Sequence, residues 1–223
     1  MTEPAREFLA PNFYVDSDHP RIQAFAERFR SERGAVETAV ALYYAVRDGY
    51  RYDPWNLELQ PEAFRASEVV DRTYDRGGHC IDKALVLAAC ARALGIPSRL
   101  HFANVRNHIG TAKLEQMLGT DLLVFHGYAE LYLEGRWVAA TPAFNKELCD
   151  YLKVPPLDWD GRSHAILQAF STDGGRFMEY VQDHGTYADV PHAFMMAQWH
   201  EHYPAVRNGT WLRRSGGGGG EGQ

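Results

Sequence analysis

Gly78-His79-Cys80-Ile81-Asp82-Lys83-Ala84-Leu85-Val86-Leu87-Ala88-Ala89-Cys90-Ala91-Arg92-Ala93-Leu94-Gly95-Ile96-Pro97 is the stretch on which the fold turns. Apolar residues fall on nearly every side of a helix drawn through it, so that helix is predicted to be buried and not laid on a surface. Gly95 tolerates the positive φ that closes a helix, and Pro97 cannot continue one. Cys80 stands at the opening turn. A thiol there meets unpaired backbone N–H groups and the positive end of the helix dipole, both of which favour thiolate. Cys90, further along the same helix, reads as a small core residue. Asp82 and Lys83 read as solvent-facing punctuation, with a contact to the loop before Cys80 as the other use of either.

Upstream, Ile22, Phe25, Ala26 and Phe29 recur at helical spacing, which predicts a helix over 20–33. Val36, Ala39, Val40, Tyr43 and Val46 trace a second one, broken at Asp48-Gly49. Ser67-Glu68-Val69-Val70 predicts one short helical turn before the glycines at 77 and 78. Downstream, Ser98–Val105 alternates as a strand and Ile109–Leu118 reads as a short helical insertion. Leu123–Leu133 and Arg136–Thr141 then form a predicted antiparallel hairpin through Glu134-Gly135, in which Leu133 pairs with Arg136. If pairing extends that far, His126 lies opposite Ala143, with Thr141 as its diagonal neighbour at roughly 7–8 Å between backbone positions. Spacing thus puts Thr141 where a group orienting an imidazole belongs, though a hydroxyl lacks the charge that steadies an imidazolium. Asn145 and Asp121 are the other candidates for that part.

Four motifs in order carry a family likeness: Gly78-His79-Cys80; Gly95-Ile96-Pro97-Ser98-Arg99; His126-Gly127-Tyr128-Ala129-Glu130-Leu131-Tyr132; and Gly135-Arg136-Trp137-Val138-Ala139-Ala140-Thr141-Pro142. Residues 78–145 thereby resemble the transglutaminase-like superfamily, whose members share a papain-like core. The resemblance implies an α+β fold with a buried nucleophile helix packed on an antiparallel sheet. It also implies Cys80 as nucleophile and His126 as general base and acid. The usual aspartate falls on Thr141, and Thr141-Pro142-Ala143-Phe144-Asn145 resembles a small bacterial-type branch that has Thr-Pro-Ala-Phe-Asn where Asp-Pro is usual.

The implied chemistry is acyl transfer or hydrolysis of an amide or ester through a thioester. The Cys80 N–H is a natural oxyanion donor, and Tyr52, Trp55 and Tyr74, before the helix, are candidates for a second donor or for the cleft wall. The rival expectation is a non-catalytic peptide- or ligand-binding module that keeps the cleft. Glu130 and Tyr132 share the strand parity of His126 and are expected to pack or hydrogen-bond; Trp137, Tyr128 and Trp55 read first as core or cleft wall. His79, His101, His108 and His126 could converge with Cys80 or Asp121 on zinc, but no closely spaced ligand pair supports a metal, and none is predicted.

At 223 residues with a formal charge of -6, the chain has no basic footprint for nucleic acid or an anionic membrane. Lys83 and Arg92 bracket the longest apolar run far short of a membrane span. Three cysteines cannot all pair within one chain, and Cys80 and Cys90 would stand ~15 Å apart along the helix. A cytoplasmic protein is expected, with no cofactor, no calcium loop, and a small-molecule or peptide substrate as partner. Residues 1–214 are predicted to form a single domain, and 215–223 a flexible glycine-rich tail. In the last third, Met178-Glu179-Tyr180-Val181 reads as a strand and Ala193–His200 as a helix that covers a sheet edge or narrows the cleft, with His200 and His202 on a solvated face.

Overall fold

The computed structural model describes residues 4–55, 58–108 and 112–210. Residues 109–111 of the expected helical insertion, residues 1–3 and 211–214 of the expected domain, and the expected tail 215–223 lie outside the described residues. In chain order the elements are α1 (Pro20–Glu27), α2 (Ala35–Gly49), α3 (Ala66–Arg76), α4 (Cys80–Ala93), β1 (Ser98–Asn107), α5 (Ala112–Leu118), β2 (Leu122–Leu133), β3 (Arg136–Ala140), α6 (Lys146–Leu152), β4 (Met178–Tyr187), α7 (His192–His202) and α8 (Pro204–Arg207). No described helix is long and apolar enough to cross a membrane.

The four strands form one antiparallel sheet in the order β3-β2-β1-β4. Glu134 (φ 49°) and Gly135 (φ 84°) both take the left-handed conformation that a two-residue hairpin turn demands, and Leu133 pairs with Arg136 as the spacing predicts. α4 packs on the sheet, chiefly on β2, and is enclosed by α1, α2 and α3. Every residue from Ile81 to Arg92 is buried, which is why this helix shows no polar face. Its end is closed by Gly95 at φ 80°, with Ile96 N–H returning to Ala91 O. A smaller apolar cluster built on Val105, Ala143, Phe144 and Phe177 forms beside the main one, and Cys80 packs against both.

Neither Asp82 nor Lys83 faces solvent as expected, for both are fully buried, and Asp82 takes the other expected use, a contact to the loop before Cys80 at His79. Lys83 Nζ donates to the carbonyls of Arg47, Tyr50 and Ala143 at 2.7–2.8 Å. Burial pushes its ammonium down to about 7, while three acceptors that cannot themselves donate favour the charged form. Asp82 accepts from Arg72 and from the His79 N–H. Buried cations and carboxylates with complete partner sets need not face water.

Several boundaries also move. α1 ends at Glu27 because Phe29 and Arg30 N–H groups bond three residues back to Ala26 and Glu27, tightening the last turn. α3 is a full helix and not one turn, with Asp16 accepting from Ser67 N–H and Oγ at its start and Val69, Val70 and Thr73 buried along it. β4 runs to Tyr187 because it pairs along most of β1. Two remote segments are stapled together: Asn12 donates to Ala188 O, the Tyr14 and Val15 N–H groups donate to Asp189, and the buried Arg92 guanidinium bonds Ala10 O and Ala188 O.

Candidate active site

Three segments meet at the first turn of α4. Residues 51–53 run beside Gly78, which donates to Arg51 O and accepts from Asp53 N–H, both at 3.0 Å. Glycines permit this approach: a Cβ on Gly77 (φ 81°) would stand 2.7 Å from Arg51 O, and one on Gly78 would stand 2.4 Å from Thr73 Cγ2. The third segment is β2 at Gly127, where a Cβ would lie 3.0 Å from Phe102 Cε1 and 3.4 Å from Ile81 Cα. A strand position without a side chain thus lets β2 close on the helix start.

Cys80 is the first residue of α4. His79 caps the helix, its Nδ1 accepting from Ile81 N–H at 3.2 Å while Asp82 Oδ2 accepts from His79 N–H at 3.2 Å. Burial pushes the Cys80 thiol up to about 11 against the opposing pull of the Gly127 and Ile81 N–H groups, and the Asp82 charge adds to the rise. His126 is buried, and desolvation pushes its imidazole down to about 4. At neutral pH both groups are therefore uncharged. Cys80 and His126 line one cavity of about 60 Å³ with Tyr52, Val124, Trp199 and Tyr203 among its other walls. Neither ring nitrogen of His126 has a hydrogen-bond partner among the described residues.

A bulge sets the course of β2 into His126. His126 pairs with Ala103 and Leu123 with Val105, so two residues of β2 oppose Asn104 alone. The bulged Phe125 sits at φ 63°, a conformation costing a non-glycine residue about 1–2 kcal/mol. Asn104 holds it: its Oδ1 accepts from Phe125 N–H at 3.0 Å and from His184 Nε2 at 3.0 Å, and its Nδ2 donates to Gln182. The Phe125 ring stacks on His184 and meets Phe194 edge-on.

None of the three expected orienting groups bonds the His126 ring. The β2–β3 ladder ends at Ala129 and Ala140, because Thr141 N–H and Ala139 O turn instead to Ala165. Thr141 Oγ1 donates to Ile166 O at 2.7 Å, and His126 has no pairing with Ala143. Asn145 accepts from Tyr52 N–H at 3.0 Å and donates to Glu147, so it positions the wall beside Cys80. Asp121 is half-exposed and paired with Arg106 at 3.0 Å. Of the three aromatic candidates, Tyr52 lines the Cys80 cavity, and Trp55 lines an adjoining groove that Tyr52 shares. Tyr74 is 75% exposed and faces a separate groove between α1 and α3, so it leaves the candidate site.

The remaining polar and aromatic groups sort likewise. Glu130 bonds Arg99 and His101, His101 also reaches Asp183, and Tyr128 stacks on His101. Trp137 lies under the Arg99 guanidinium and beside Phe8 and Tyr132. No group of three or more His, Cys, Asp or Glu among the described residues is arranged to hold a metal ion.

The family model of the transglutaminase-like superfamily matches residues 23–142, more than half of the chain, and spans Cys80, His126 and Thr141. The chain belongs to the transglutaminase-like superfamily. Its α+β, papain-like class follows for this superfamily member, with α4 as the buried helix against an antiparallel sheet. Among solved structures it is similar to "a Putative Cysteine Protease from Cytophaga hutchinsonii", at 20% identity and a TM-score of 0.49, over 83% of this chain and 47% of that one. It is also similar to the arylamine N-acetyltransferase from Mycobacterium abscessus, at 16% identity and a TM-score of 0.41, over 60% of this chain and 46% of that one. The chain thus spans just under half the length of each of these proteins. A search of curated proteins found no match.

Sequence reasoning gave no site role to Asn104, Gly127 or Tyr203, and it reached Trp199 only through the helix expected over Ala193–His200 to narrow the cleft, which that residue does. A glycine inside a strand, directly after the candidate histidine, was a usable sign of close approach. Trp199 Nε1 donates to Val124 O, and Tyr203 Oη accepts from Val124 N–H, so the α7 end closes the cavity over β2. No local pattern marks those two residues.

Proposed function

We propose that this protein is a cysteine-dependent acyl transferase or hydrolase of amides or esters, with Cys80 as nucleophile and His126 as its general base and acid. The observation that carries the reading is the seating of Cys80 at the first turn of α4, where backbone N–H groups of Gly127 and Ile81 address its sulfur beside His126 in one shared cavity. Because both groups rest uncharged, the thiol proton moves to His126 as sulfur attacks the carbonyl carbon, forming the C–S bond. His126 returns that proton to the departing amine or alcohol, whose bond to the carbonyl carbon breaks. Water or an amine then attacks the thioester, and the thiol is regenerated. The Cys80 N–H, free of an intrahelical acceptor at this position, is the first oxyanion donor in this reading, and the Tyr52 hydroxyl the candidate second. Natural substrates are small molecules or peptides, the site needs no cofactor, and the protein acts in the cytoplasm.

A second reading, a non-catalytic binding module, draws support from the unpartnered His126 ring and the threonine in the usual aspartate position. Brief treatment with iodoacetamide at pH 7, read by mass spectrometry, separates the two. The enzyme reading expects labelling concentrated at Cys80, a fall of about 10²-fold or more in His126→Ala, and no turnover of any amide or ester by Cys80→Ala. Slow labelling that ignores His126 would leave the binding module standing.

A further inference from the structure

The Cys80 cavity is too small for more than the reacting carbonyl and its nearest atoms, yet it is not isolated. Tyr52, Pro54, Leu114 and Leu123 are shared with an adjoining groove of about 400 Å³, which α6 closes from the far side with Leu148, Tyr151 and Leu152. Phe144 and Phe177 form part of its floor. Among the described residues its polar lining is the buried Asn107 and, at the rim, Arg51 and Asp53, which pair with each other at 3.2 Å so that their charges balance. Trp55 and Tyr151 stand exposed at the mouth.

We propose that this groove is the substrate's specificity pocket, and that it takes an aromatic or branched aliphatic group carried a few atoms from the carbonyl that Cys80 attacks. The inference rests on the Cys80–His126 reading and adds the substrate class to it. Mostly apolar and aromatic walls, a described rim whose two charges balance and volume for a substituted ring select against charged or strongly hydrated substituents. The placement also gives α6 a task. Asn145, immediately before it, holds the Tyr52 backbone that divides groove from cavity, so the two spaces keep a fixed relation.

Two probes with the same reactive carbon test this: iodoacetamide and N-benzyl-2-iodoacetamide, compared as second-order labelling rates at Cys80. In each, the C–S bond forms as iodide leaves. A filled groove is expected to favour the benzyl probe at least tenfold after correction with free cysteine, equivalent to about 1.4 kcal/mol. Leu148→Trp, which fills the groove, is expected to bring the ratio near one. Tyr151→Ala, at an exposed position that does not threaten folding, is expected to lower it two- to threefold. A corrected ratio near one in the native protein, or a preference that survives both substitutions, overturns the groove assignment. Failure of the underlying reading looks different, because iodoacetamide labelling would then be indifferent to His126→Ala whatever the benzyl ratio.

Discussion

Cys80 and Cys90 lie on one helix and share a residue type, a fold and a solvent, yet their surroundings diverge. At Cys90 burial alone acts, and it pushes the thiol far above its ordinary range. At Cys80 the same penalty is opposed by the N–H groups of Gly127 and Ile81, and the thiol comes to about 11. What separates the helix end from the helix middle is unspent backbone hydrogen-bonding capacity, because intrahelical carbonyls occupy the N–H groups around Cys90. The Cys80 thiol is thus set apart by the helix start and by the approach of β2 together.

The strongest way to break this comparison is the pH profile of Cys80 labelling. In His126→Ala the rate should climb about tenfold per pH unit until it levels near pH 11, since only thiolate reacts and burial raises its pKa. In the native protein a neutral imidazole is present above about pH 4 to take the proton, so the rate should be nearly flat from pH 5 to 9. Parallel profiles would dissolve the distinction between the pair and an ordinary thiol. Next in size is Asn104→Ala, which strips the bulge of its acceptor: Cys80 labelling should fall about tenfold, with a loss of about 2 kcal/mol in denaturant unfolding. Asn104→Asp keeps the acceptor and should stay within threefold in labelling.

Thr141→Val should be milder. Its hydroxyl serves the Ile166 carbonyl, so about 1 kcal/mol of stability should go while Cys80 labelling changes less than threefold. A large loss of labelling would return Thr141 to the side of His126. Cys90→Ala is the smallest perturbation, a void costing on the order of 1 kcal/mol by calorimetry with labelling unchanged.

These contrasts mark how far the sequence could be read. The buried central helix, its closing Gly95 and the two-residue hairpin turn were legible because each depends on residues within a few positions of one another. The lysine at 83 was misjudged because charge suggests water, and nothing nearby in the chain announces three converging carbonyls from Arg47, Tyr50 and Ala143. Thr141 failed as an orienter for a related reason. The hairpin rule extrapolated a ladder that the 165–166 segment interrupts, and that segment comes from far along the chain. Trp199 and Tyr203 required knowledge of where α7 docks.

The staple between residues 10–15 and 188–189 sets an order of assembly. Joining segments some 175 positions apart closes a very long loop, so its entropy must be met before Asp189 and Arg92 are rewarded. The helix carrying Trp199 follows directly on that staple. During refolding the hairpin and central helix should therefore gather first, leaving sulfur open to small thiol reagents. Protection of Cys80 against a bulky maleimide should appear in the last kinetic phase, together with burial of the Trp199 indole.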